Sequence, residues 1–373
     1  MAGINLNFFK GMFKAEPVSF LGVDIGTSSI KLVELSKEKE RAKLATYGEA
    51  GTYYSLERLT EMTSFKSQQI ADTKLTQLLK DLLKATGAVS KTAVFSLPLS
   101  SSFTTIIEFP KMDPAEIEKA IEYEARQYVP IPLSEVKLSW NIVGKTSYDM
   151  GDKDKRIMAA DEKTEVLLIA VPNEVISRYQ TIAKSVGLEI SGMELESYSA
   201  VRSVLGNDKM TAIMVDMGAR ITDISLIEKG IIKMNHNLEV GGADITRIIS
   251  QSMNIPMIRA EELKKEFGLQ AQGGEKEISN LMHSVLDLII IEIQRMSEIL
   301  VRKGNRKIEK IILVGGTAIL PGVTQYFTER TGISTAVGNP FFRVMYPDHL
   351  DSVIKQIGPG YCTAVGLALR DFA

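Results

Sequence analysis

The segment Val23-Asp24-Ile25-Gly26-Thr27-Ser28-Ser29-Ile30-Lys31 constrains the chain more than any other. Phe20 to Val23 is apolar enough for a buried strand, yet an acid stands at its end. A Gly-Thr-Ser-Ser link then leads into a second β-rich run, Ile30 to Leu35. So short a link between two strands predicts a tight hairpin. Gly26 can take a positive φ, and the turn can offer N–H and hydroxyl donors to a phosphate. A carboxylate at a strand end is costly to bury unpaired. A hydrated divalent cation bridging to phosphates would satisfy Asp24. Read alone, the segment also fits an ordinary hairpin with a polar tip.

The pattern returns. Met214 to Ile227 repeats the apolar strand, the Asp-x-Gly at Asp216 and Gly218, the polar turn and the second strand, 192 positions along the chain (24 to 216). A spacing of about half the chain indicates two related halves, not a solenoid with its periods of roughly 20–50 residues. A third Gly-rich turn, Val314-Gly315-Gly316-Thr317, again follows a buried strand. Two acid-bearing hairpins facing one another, with a Gly-Gly turn beside them, would form a nucleotide clamp.

These three motifs resemble those of the actin, heat-shock chaperone and sugar-kinase superfamily, in its order and separation, from about Ser19 to Leu369. The Asp24 and Asp216 hairpins match its two phosphate motifs, and Val314 to Thr317 its adenosine motif. The resemblance implies an α/β, actin-like (ribonuclease H-like) duplicated fold with ATP or ADP and Mg2+ in the cleft between the halves. Asp24 and Asp216 would hold Mg2+ largely through water, since this ion dehydrates reluctantly. Lys31 would neutralise β/γ-phosphate charge. Gly26, Thr27, Ser28, Gly218, Ala219, Arg220 and Thr222 would supply turn donors, and Gly315, Gly316 and Thr317 would let base and ribose approach. Ala260 to Gly268 resembles the helix that closes over adenosine, with Glu261 and Lys264 at the contacting positions. A solvated helix with Glu/Lys pairing accounts for the same residues.

Two features bear on turnover. Where relatives carry small or hydroxyl residues in the second phosphate turn, this chain has Ala219-Arg220-Ile221. Arg220 either adds a phosphate contact or points to solvent. At the start of the helix that connects the halves, the superfamily can place an acid that orients the attacking water. Glu196 matches that position best and Glu194 second, although an acid complementing the helix dipole explains either. Slow or absent hydrolysis is expected, with ATP serving mainly to set the angle between halves.

Composition excludes several classes. A net charge of −2 gives no general drive toward nucleic acid or anionic lipid. Cys362 is the sole cysteine, so no intrachain disulfide forms and a reducing cytoplasm fits. His236, His283 and His349 show no zinc-ligand spacing. There is no Walker A pattern and no dinucleotide fingerprint. The richest apolar run, Val285 to Ile293, is interrupted by Asp287 and Glu292 and is too short to span a bilayer.

The pattern changes between the hairpins. Helical spacing over Asp72 to Thr86 gives way to a strand over Ser102 to Phe109, a helix over Ala115 to Tyr128 with Asp113 as its cap, and strands near 138–143 and 166–171. A polar loop, Ser147 to Lys163, is expected to be mobile. This is a small α+β (strand–helix–strand–strand) insertion, as in the division protein FtsA. Its Ile121-Glu122-Tyr123-Glu124-Ala125-Arg126-Gln127-Tyr128-Val129-Pro130-Ile131-Pro132 run resembles the signature of the PilM family of type IV pilus assembly proteins, FtsA relatives. The implied organisation is an extension over 1–17; a first half over 18–96, 173–207 and 358–373; the insertion over 97–172; and a second half over 208–357. Residues about 250–307 would cap the adenosine.

The family resemblance further implies a cytoplasmic platform beneath the inner membrane, attached through partners. Its inserted domain, over 97–133, would bind the N-terminal segment of a PilN-type membrane protein, alongside other inner-membrane platform proteins. The extension carries Ile4, Phe8, Phe9, Met12 and Phe13 on one helical side, which fits a membrane foot or docking on protein, and its few basic residues favour docking on protein. Its Ile4-Asn5-Leu6-Asn7 resembles the start of the PilN segment, and docking in a neighbouring copy would support homo-oligomers. An FtsA-like polymer tethered to membrane and a phosphotransferase of the sugar-kinase or exopolyphosphatase type are the competing readings.

Overall fold

The computed structural model describes residues 19–51, 65–146, 163–270, 276–302 and 307–372. The extension over 1–17 and nearly all of the polar loop over 147–163 lie outside the described residues. The chain divides into two compact units, one over Pro98–Ile182, the other comprising the described residues up to Leu97 and from Ala183 onward.

The larger unit opens with β1 (Ser19–Ile25) and β2 (Ser29–Glu38), which form the predicted hairpin, and β3 (Arg41–Gly51) returns beside β2. Helix α1 (Phe65–Thr86) begins earlier than the expected Asp72, buries Leu75, Leu79 and Leu82 at helical spacing, and stops at Gly87, whose φ of +65° suits a left-handed terminus. Strand β4 (Thr92–Leu97) follows.

The smaller unit contains β5 (Phe103–Phe109), α2 (Pro114–Tyr128), β6 (Val136–Thr146) and β7 (Lys163–Pro172), an antiparallel sheet in the order β5-β7-β6 with one helix against it. Pro114 occupies the first helical position, and the Asp113 N–H donates to Glu116 Oε2 at 2.9 Å, half of a capping box. Ile117, Ile121 and Ala125 of α2 pack on Ile107, Phe109, Val166 and Leu168 of the sheet.

Helix α3 (Asn173–Ser185) leads back to β8 (Glu189–Leu195) and α4 (Glu196–Leu205). Next come β9 (Ala212–Met217), β10 (Thr222–Glu228) and β11 (Ile231–Leu238). Helices α5 (Gly242–Met253), α6 (Met257–Phe267) and α7 (Lys276–Arg302) precede β12 (Lys310–Val314), α8 (Val323–Thr331) and β13 (Thr335–Val337). The chain closes with β14 (Val344–Met345), α9 (Asp351–Ile357) and α10 (Cys362–Ala368).

Duplication is explicit in the strand order. One sheet contains β3-β2-β1-β4-β8 and the other β11-β10-β9-β12-β13, with β14 added outside β3. In both, the first two pairings are antiparallel and the last two parallel. This is the actin-like α/β fold, built twice. The long α7 buries Met282, Leu286, Ile289, Ile293 and Met296 completely or nearly so, each worth roughly 1.5–3 kcal/mol of transfer free energy. Helix α10 lies so close to β1 and α4 that only glycine fits at two contacts. A Cβ on Gly22 would stand 2.2 Å from the Ala364 carbonyl oxygen, and one on Gly366 would stand 1.8 Å from that of Ser199. Among the described residues, no helix is long and apolar enough to cross a membrane.

Candidate functional site

The two hairpins are the same construction. Asp24 is the last but one residue of β1 and pairs with Lys31; Asp216 is the last but one of β9 and pairs with Asp223. The Gly26 N–H donates to the Ser29 carbonyl at 3.0 Å, and the Gly218 N–H to the Ile221 carbonyl at 3.1 Å. Gly26 does not use the positive φ open to it. A Cβ on Gly26 would lie 3.2 Å from Ser29 O, a tight contact, whereas one on Gly218 would lie 2.8 Å from Ile221 O, too close for any side chain. The left-handed glycine is Gly315, with φ +86°, in the turn after β12. Strand β12 runs parallel to β9 with Val314 beside Asp216, so a Cβ on Gly315 would meet Asp216 Oδ1 at 2.5 Å. The Gly315 N–H donates to the Pro359 carbonyl at 2.8 Å, which fixes the turn over that carboxyl.

Charge concentrates here. Burial raises the Asp24 pKa, while Lys31 and a hydrogen bond with Ser96 pull it back. Burial, Asp223 and Asp24 push Asp216 up to about 7 against the opposing pull of Lys31. The carboxyls of the two hairpins therefore lie within reach of each other's field. Burial raises Asp223 to about 6, and its hydrogen bond with Glu196 works the other way. Asp223 Oδ1 is buried with no hydrogen-bond partner, and an orphaned buried carboxylate oxygen calls for a cation or an ordered water.

Asp223 escaped the motif reading. The clue was its place seven residues after Asp216, where Lys31 follows Asp24 by the same interval, so the repeat sets an acid in one half against a base in the other. Glu196 is the first residue of α4 and meets Asp223. Glu194, the second candidate, belongs to β8 instead; it accepts from Ser199 Oγ at 2.6 Å and pairs with Arg202, which makes it a structural anchor.

The remaining candidates divide by surroundings. Thr27, Ser28 and Arg220 are exposed at the turns. The Gly218 and Ala219 carbonyls accept the Gly242 and Ala243 N–H groups at 2.9 and 2.8 Å, which bolts the second turn to the start of α5. Thr222 is buried and its hydroxyl donates to the Val240 carbonyl at 2.7 Å, so it supports the turn from behind. Lys264 is buried, with Nζ 3.0 Å from Gly242 O, 2.9 Å from Thr246 Oγ1 and 2.6 Å from Glu261 Oε2. Burial lowers the Lys264 pKa against the opposing effect of Glu261. Burial also disfavours ionised Glu261, but Lys264, Thr246 and Lys265 together hold its pKa below the usual value.

Gly242 is packed closely against these groups: a Cβ would lie 2.6 Å from Thr317 Oγ1 and 3.4 Å from Lys264 Nζ, so the absence of a side chain lets them approach α5. Gly316 is exposed, with nothing within 4 Å of a Cβ built on it.

The donor set fits a hard cation with an anionic ligand. Carboxylate oxygens of Asp24, Asp216 and Asp223 suit Mg2+. Among the described residues no three His, Cys, Asp or Glu side chains are gathered as direct metal ligands.

Cell division protein FtsA of Staphylococcus epidermidis is 22% identical over 375 residues, covering 91% of this chain and 78% of that protein. The solved structure of a PilM–PilN type IV pilus biogenesis complex contains a chain similar in fold, with a TM-score of 0.77 and 24% identity over 96% of this chain and all of that one. The ethanolamine utilization protein EutJ from Carboxydothermus hydrogenoformans shares the fold at a TM-score of 0.56 and 18% identity, over 96% of this chain and 91% of that one. A family model described as type IV pilus assembly protein PilM matches residues 22–372, and the chain belongs to that family.

Proposed function

We propose that the protein is an ATP-binding actin-like platform component of type IV pilus assembly. One observation carries the nucleotide part of the reading. Asp24 and Asp216 end equivalent strands near one another, and the Gly315 turn and the orphaned Asp223 oxygen adjoin the second. Asp24, Asp216 and Asp223 would hold Mg2+, which supplies neutralisation of phosphate charge when bound. Gly26, Thr27, Ser28, Gly218, Ala219, Arg220 and Lys31 would face the phosphates. Gly315, Gly316, Thr317, Glu261 and Lys264 would flank the nucleoside. Glu196 shares a hydrogen bond with Asp223 and is not committed to a water alone. That arrangement supports slow or absent turnover, with nucleotide acting as a conformational ligand.

The partner reading rests on family membership and on the similarity to the chain in the PilM–PilN complex. A PilN-type N-terminal segment would bind the smaller unit, over 97–133. Among the described residues β5, which lies in that zone, pairs on one side only, and an extended peptide can add to such an edge. The protein would then lie at the cytoplasmic face of the inner membrane, held by its partners, among other platform proteins. The Ile4-Asn5-Leu6-Asn7 segment would allow a second copy to dock in the same way.

Retention of ATP by the purified chain, by equilibrium dialysis with and without EDTA, tests the site. The parent chain should retain ATP in a Mg2+-dependent manner and Asp24→Ala should lose at least tenfold, about 1.4 kcal/mol. Equal retention by the two would remove the site. Pull-down of a PilN-type N-terminal peptide tests the partner. Sustained turnover at metabolic rates, on the order of 10 per second, would favour a phosphotransferase instead.

A further inference from the structure

The row of side chains that begins with Asp24 does not end at Lys31. The registers of β1, β2 and β3 set Asp24, Lys31 and Glu49 side by side across one sheet face. The Lys31 ammonium donates to Ser29 Oγ at 2.8 Å and stands 3.5 Å from Glu49 Oε1. Lys31 is 16% exposed and Glu49 44%, so the cation is largely enclosed while its acidic partner sits at the rim. The corresponding row of the second half is Asp216, Asp223 and Asn237, with neither the cation nor the outer acid. Glu49 is thus an addition peculiar to the first half, unexplained by the duplication.

We infer that Glu49 is a positioning residue that competes with bound phosphate for Lys31. The inference rests on the nucleotide reading above. With no anion at the Gly26 turn, Glu49 draws the ammonium toward β3. A phosphate that needs Lys31 must win it from that carboxylate. The lysine stem can make this exchange, because it is flexible and its ammonium is a point charge without fixed donor geometry. It passes Gly360, where a Cβ would lie 3.6 Å from Lys31 Cε, so the backbone guides the stem without clamping it. Glu49 therefore weakens phosphate binding, and it does so through Lys31. A ligand without phosphates does not experience the competition.

The test is a binding cycle at low ionic strength on the full chain. It compares the parent, Glu49→Gln, Lys31→Met and the double variant, with Mg-ATP and adenosine as ligands. Glu49→Gln should tighten ATP by about two- to fivefold, the range of an exposed ion pair. It should leave adenosine affinity unchanged, and it should have no effect in the Lys31→Met background. The gain should shrink as salt is raised. Unchanged or weaker ATP binding by Glu49→Gln overturns the inference, and so does an equal gain without Lys31, which would show plain charge repulsion. A parent that binds adenosine and ATP normally while Glu49→Gln is silent removes only this role. A parent that binds neither ligand removes the nucleotide reading and this inference together.

Discussion

Asp216 carries a folded-state pKa of about 7 against an ordinary 3.8, because burial, Asp223 and Asp24 all oppose its charge. A raised carboxyl pKa means that the folded chain keeps a proton that the unfolded chain has lost. The contribution of this group to stability therefore falls as pH rises from about 4 to about 7, and stays low above that. Asp216→Asn removes the titration without changing the shape. The parent should melt no lower than the variant near pH 4. Near pH 8 the variant should melt higher by roughly 2–4 °C, the scale of about 1 kcal/mol in a large domain. A pH series of thermal scans on metal-free protein checks this, and a difference that is flat with pH would contradict it. Asp24 and Asp216 stood out as candidates because an acid ending an apolar strand is conspicuous, and because the motif recurs. Asp223 did not: it is read only through the β9–β10 register.

Between elements, the crossing of α4 and α10 joins the two sheets. Gly366 meets the Ser199 backbone at a distance that excludes a methyl group, and Arg202 Nη1 donates to the Gly366 carbonyl at 2.9 Å while pairing with Glu194. Gly366→Ala should force these helices apart and cost about 3 kcal/mol or more, the upper range for overpacking. Gly316→Ala provides the contrast, because open space surrounds that position and its φ is not positive. It should change stability by less than about 0.5 kcal/mol, yet weaken ATP binding if the nucleoside lies against the Gly-Gly turn. Thermal melting and ATP dialysis on the two variants separate packing from ligand contact. The elements themselves were largely readable from periodicity, and so was the Asp113-Pro114 start of α2. The early start of α1 was not, since its leading turn, Phe65 to Ala71, lacks the leucine spacing of the rest. Nor was the assignment of Glu194 to β8, which depends on pairing with β4 far away in sequence.

At the scale of the whole molecule, the duplicated sheets are more than a record of ancestry. Equivalent strands end in acids of like sign, so the halves repel where they approach unless a cation and an anionic ligand intervene. A ligand engaging both halves therefore favours the arrangement that brings them together, by no more than its differential affinity for it. If a PilN-type peptide also distinguishes the two arrangements, linkage makes the coupling reciprocal. Saturating Mg-ATP should change peptide affinity by some factor, typically 5–150-fold, and saturating peptide should change ATP affinity by the same factor. Asp24→Ala should abolish the coupling while leaving peptide binding intact. Both factors can be measured by titration calorimetry at two protein concentrations. Equal factors, independent of concentration, identify a platform that reads nucleotide state and passes it to its partner. Factors that disagree, or that grow with concentration, require an additional associated species. In that event nucleotide-dependent sedimentation, with and without lipid vesicles, should reveal the associated species.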